Sequence, residues 1–117
     1  IMDDPDAIAA VGKIWVHWLL SDLSPQTVAI LSGETPMKTL REGEEDDEID
    51  YTKGKTDFDE IGYGGPAPPN GRHTYVFKGY TLDVKLNLKE GFSKQELEDA
   101  MEGHILAEAK LTGTFTP

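Results

Sequence analysis

The sequence predicts a mainly β domain with one short helix. Three observations carry that reading. Short runs rich in aromatic and β-branched residues, of which Lys13 to Leu20 (KIWVHWLL) is the clearest, are bounded by turn residues. Ile105 to Phe115 alternates apolar with polar side chains, the period of a half-buried strand. Only around Ser93 does a helix-start signal precede apolar residues at helical spacing. At 117 residues the chain has room for one domain with a modest core.

Taken in order, Lys13 to Leu20 places Trp15, His17 and Leu19 on one face and Val16, Trp18 and Leu20 on the other. Both faces are largely apolar, which predicts a central strand rather than an edge. Thr27 to Leu31 (TVAIL) is a short strand between turns at Ser24-Pro25 and Gly33 to Pro36. Gly62 to Gly71 (GYGGPAPPNG) is neither helix nor ladder. Prolines that fix φ alternate there with glycines that reach conformations closed to other residues, which predicts a shaped loop. Thr74 to Leu88 is one long strand or a hairpin interrupted near Gly79 or Asp83. Ser93 and Glu96 form a capping box, followed by Leu97, Ala100 and Met101, so residues 94–102 are an amphipathic helix ending at Gly103.

Composition excludes several function classes. The net charge of −11 disfavours electrostatic binding to nucleic acid or to an anionic membrane surface. No apolar run approaches the ~20 residues of a membrane span. Without cysteine there is neither a disulfide nor a thiolate zinc site. The acidity is concentrated: residues 41–60 hold ten acids and three bases, so that window carries −7 of the total. Glu42 to Asp50 therefore reads as an exposed acidic loop, and it lacks the ligand spacing of a calcium-binding loop. The opening residues, Ile1-Met2-Asp3-Asp4-Pro5, do not resemble a secretory or transit peptide, and a cytoplasmic location is expected.

Chemistry-bearing residues fall in three places. Asp4-Pro5-Asp6 sets two carboxylates about a rigid proline. His17 lies mid-strand beside Trp15, and His73 follows the glycine-proline loop and precedes Tyr75. Converged, they would make a small pocket of two carboxylates and two imidazoles, walled by Trp15 and Tyr75, with Gly64 and Gly65 admitting a ligand close to the backbone. A carboxylate beside an imidazole fixes its tautomer and leaves the other ring nitrogen for an anion such as phosphate. The same residue types suit zinc or manganese, so a metal-dependent hydrolase with His17, His73, Asp4 and Asp6 as ligands is the alternative. It has no helical His-x-x-x-His pair and no evident general base to support it.

Three stretches in order, Asp4-Pro5-Asp6-Ala7, Trp15-Val16-His17-Trp18 and Gly62 through Phe77 (GYGGPAPPNGRHTYVF), resemble the phosphatidylethanolamine-binding protein family, in particular its bacterial and archaeal Raf kinase inhibitor-like branch. The ending, Ala100 to Ala107 with Leu111 to Phe115, is similar to that branch as well. The resemblance implies a β-sandwich with a large antiparallel sheet and a pocket for phosphate or phospholipid head groups. The implied pocket residues are Asp4, Asp6, Trp15, His17, Gly65, Pro68, Pro69, His73 and Tyr75. It implies no catalysis, metal or cofactor. The implied partners are a small phosphate- or phosphorylethanolamine-like anion, a kinase or protease that the protein inhibits, and a second copy in a homodimer. Members of the family usually carry further strands before the Asp-Pro-Asp motif, so the chain is expected to be one domain lacking its N-terminal strands. Two departures stand out: Thr74 occupies the place of the family's usual arginine, and Ile8 that of a proline. Without that arginine, Asp4 or Asp6 is expected to be less neutralised. His104 is read as structural.

Overall fold

A computed structural model describes residues 1–24 and 51–117 in full, and between them the backbone of two strands, 27–31 and 38–41. The acidic block at 42–50 and the turns at Pro25 and 33–36 lie outside the described residues.

The fold is mainly β. Its principal sheet has four antiparallel strands: β1 (Met2–Asp4), β2 (Trp15–Trp18), β7 (His73–Leu82) and β8 (Ile105–Phe115), in the order β2-β1-β7-β8. Two-stranded pairs join β3 (Leu20–Ser21) to β6 (Thr52–Lys53), and β4 (Thr27–Leu31) to β5 (Lys38–Arg41). Helix α2 (Lys94–Met101) packs Leu97 and Met101 against Val16, Leu19 and Phe92, forming a core to which Tyr80, Leu82, Leu86 and Leu88 add partial cover. The capping box is realised: Ser93 Oγ accepts from the Glu96 backbone, and Glu96 accepts from that of Ser93.

The structure adds β1 and corrects three sequence expectations, the single helix, the central place of the Lys13–Leu20 strand and the half-buried last strand. β1 sits at the centre of the sheet, although Met-Asp-Asp carries no strand pattern. A 3₁₀ turn (Pro5–Ala7) and a short α1 (Ile8–Val11) follow it, with Pro5 opening the turn where its missing N–H costs nothing. β2 ends the sheet rather than lying within it. Its outer edge is closed by residues 57–64: the Asp57 backbone donates to Val16 O, the Val16 backbone to Asp57 Oδ2 at 2.7 Å, and the Gly64 backbone to His17 O. That cover explains why both of its faces look interior. β8, read as half-buried, is exposed along its whole length. The long strand before it ends at Leu82, and Asp83 then receives His104: the imidazole Nδ1 donates to Asp83 Oδ1 at 2.8 Å, in keeping with a structural role.

Candidate functional site

Strand alternation explains how β1 serves two sides of the sheet. Asp3 turns towards α2 and accepts from Lys94 Nζ at 2.8 Å, while Asp4 turns to the opposite face. There Asp4 Oδ2 accepts from His73 Nδ1 at 2.7 Å, and both side chains are almost fully buried. His73 reaches that point because β7 lies beside β1, with Asp3 opposite Val76. On β2, a register shift between Met2 and Asp3 displaces His17 from simple pairing. Its Nδ1 donates to Gly64 O at 2.8 Å, and its ring meets Tyr75 edge-on at 5.1 Å and Phe58 at 5.2 Å. Both imidazoles thus spend Nδ1 within the protein, and Nε2 is the nitrogen left for a ligand.

Three polar atoms here are buried without a hydrogen-bond partner: Asp4 Oδ1, Tyr75 Oη and Trp15 Nε1. Burial, and next the Asp4 carboxylate, push the Tyr75 hydroxyl above its ordinary range, while the approaching Ala67 backbone pulls it the other way without completing a bond. The hydroxyl is therefore a donor at neutral pH. Asp6, exposed at the rim, accepts from the Thr74 backbone at 2.7 Å. Each carboxylate of the acidic pair consequently has a partner without an arginine at position 74.

A family model described as "Phosphatidylethanolamine-binding protein" matches residues 1–116. The chain belongs to the phosphatidylethanolamine-binding protein family. Among curated relatives it is 43% identical to a UPF0098 protein of Pyrococcus horikoshii, covering 98% of this chain and 54% of that protein. It is 38% identical to one from Methanothermobacter thermautotrophicus, covering 98% and 70%. Against the first of these it spans about half the relative's length. The structure of a putative phosphatidylethanolamine-binding protein homolog from Chlamydia trachomatis superposes with a TM-score of 0.70 at 31% identity, covering all of this chain and 69% of the other. Escherichia coli YbcL, described as a new member of the mammalian family, superposes at 0.76 with 25% identity, covering 99% and 68%.

Of the residues expected from the family resemblance, the structure joins Asp4, His73, His17 and Tyr75 into one cluster and sets Asp6 at its rim. Trp15 stands one ring away, its indole edge-on to Phe58 at 5.6 Å. Pro68 is buried, whereas Gly65 and Pro69 are exposed. The glycine that touches it is Gly64, through its bonds to His17. A Cβ on Gly64 would overlap the Phe58 ring. Phe58 is the residue that the sequence reading missed. It lies in an acidic stretch (TDFDE) whose only signal was a lone aromatic side chain among charges. As for the metal alternative, His17 and His73 direct Nδ1 at Gly64 and Asp4, and among the described residues no group of three or more His, Asp or Glu side chains is arranged to hold an ion. Nor, among those residues, is any helix long and apolar enough to cross a membrane.

Proposed function

We propose that this chain is a non-enzymatic binding protein for a phosphate-type anion, free or as a phospholipid head group, held at the Asp4–His17–His73–Tyr75 cluster. The carrying observation is the set of orphaned polar atoms: Asp4 Oδ1, Tyr75 Oη and, one ring away, Trp15 Nε1. Each such atom left buried without a partner costs about 1–3 kcal/mol, a cost that a suitable ligand removes. A phosphate monoester fits the set. Its charged oxygens accept from the Tyr75 hydroxyl and, where an imidazole carries both ring protons, from its Nε2–H, and a protonated phosphate oxygen donates to Asp4 Oδ1. A neutral, raised-pKa Tyr75 is suited to donating and poorly suited to attacking, which favours binding over turnover.

The test is a titration with inorganic phosphate and phosphorylethanolamine, following the imidazole NMR signals of His17 and His73. Saturable shifts in both, lost in His73→Ala, are expected. Signals that stay in place up to high millimolar ligand would overturn the proposal.

A further inference from the structure

The cluster at the end of β1 is closed to solvent. Asp4 is 3% exposed, His17 2%, His73 6% and Tyr75 2%, and the orphaned Asp4 Oδ1 and Tyr75 Oη are buried. Any further cover would only close it more tightly. A phosphate ion is larger than a water molecule, so an anion site built on these atoms has to open before it fills.

What opens is decided by what is fastened. Gly64 is tied to His17 twice, its backbone donating to His17 O at 2.8 Å and its carbonyl accepting from Nδ1 at 2.8 Å, and Tyr63 bridges to Trp18. Residues 56–60 are a tight turn. The Thr56 backbone donates to Glu60 O, that of Asp59 to Thr56 O and that of Phe58 to Thr56 Oγ1, while Asp57 is bonded to Val16. Pro68 and Pro69 stiffen the segment that follows Ala67, whose backbone approaches Tyr75. The Phe58 ring carries none of these bonds. It is 40% exposed, yet it lies edge-on to His17 at 5.2 Å and to Trp15 at 5.6 Å, in space that a Cβ on Gly64 would occupy. A ring seated in this way rotates out at the cost of dispersion contacts, without breaking a hydrogen bond.

We propose that Phe58 is the gate of the anion site and sets which phosphates it retains, an inference that rests on reading the cluster as an anion site. Free phosphate passes the displaced ring and lets it reseat over Gly64. The substituent of a phosphate ester leaves the cluster by the same passage and holds the ring out, forfeiting its contacts with His17 and Trp15. The gate therefore favours the free ion over its esters.

Line-shape analysis of the His17 and His73 imidazole signals gives the on- and off-rates of inorganic phosphate and of phosphorylethanolamine. The proteins compared are the wild type, Phe58→Ala, and Gly64→Ala, whose methyl group displaces the ring while leaving Phe58 in the chain. In both variants the two rates for inorganic phosphate are expected to rise together by at least about tenfold, and its preference over phosphorylethanolamine to shrink. Structural damage to the site would raise the off-rate alone. Unchanged circular dichroism verifies folding, and Phe58→Leu, which keeps an apolar side chain, is expected to give intermediate rates. A wild type that binds, with rates and preference unaltered in both variants, overturns the gate and leaves the anion site standing. Imidazole signals that stay in place in all the proteins overturn the site, and the gate with it.

Discussion

Asp4 and His73 lie 69 positions apart in sequence and 2.7 Å apart in space, so their bond reports on long-range folding as well as on the site. Asp4→Ala strands the buried His73 Nδ1–H and is expected to lower stability by about 1–3 kcal/mol in urea denaturation. Asp4→Asn keeps a carbonyl acceptor and should lose less. Gly64 gives a second residue-scale contrast with Gly54. A methyl at Gly64 meets the half-exposed Phe58 ring, which can swing towards solvent. Gly64→Ala should therefore disturb the His17 signal more than it disturbs stability. A methyl at Gly54 meets Leu19 Cβ at 2.7 Å and Phe92 O at 2.8 Å, atoms fixed in the core. Gly54→Ala is expected to cost the greater amount, roughly 1–3 kcal/mol by thermal melts. The sequence made the chemistry of Asp4, His17, His73 and Tyr75 legible because proline, glycine and aromatic neighbours framed them. It did not reveal Phe58, whose role depends on a loop folding back on β2.

At the scale of elements, the most local features were the easiest to read. Helix α2 is specified by Ser93 and Glu96 within four residues, and it begins where they say. Ser93→Ala should destabilise the protein by about 0.5–2 kcal/mol, with added fraying at the first turn of α2 visible as faster amide exchange at Leu97. β1 was illegible for the opposite reason. Two adjacent carboxylates give no strand pattern, and the remote partners Lys94 and His73 make them tolerable in a buried strand. β2 read as central because apolar faces report burial, whereas an edge can be covered by loop backbone that no periodicity encodes. β8 read as half-buried because alternation predicts an apolar face without supplying its cover.

For the whole molecule, three tyrosines share one signature. Tyr51, Tyr75 and Tyr80 all have hydroxyls pushed above the ordinary range, burial being the largest cause in each. A raised folded-state pKa means that the native state holds its protons longer than the unfolded chain. Their contribution is therefore fully present below about pH 10 and is lost as pH rises through the folded-state values. Melting temperature is expected to fall above about pH 10, and Tyr75→Phe should flatten part of that fall. Phosphate should act in the other direction at neutral pH, raising the melting temperature in a concentration-dependent way in the wild type and not in His73→Ala. The alternation of Asp3 and Asp4 also behaves as a parity check on assembly. Strand β1 slipped one residue one way would present Pro5 to His73, and slipped the other way would present Met2 to Lys94. The first error strands the buried His73 donor and the second takes the carboxylate away from the partly exposed Lys94, so a three-residue strand with almost no intrinsic preference is held in one frame.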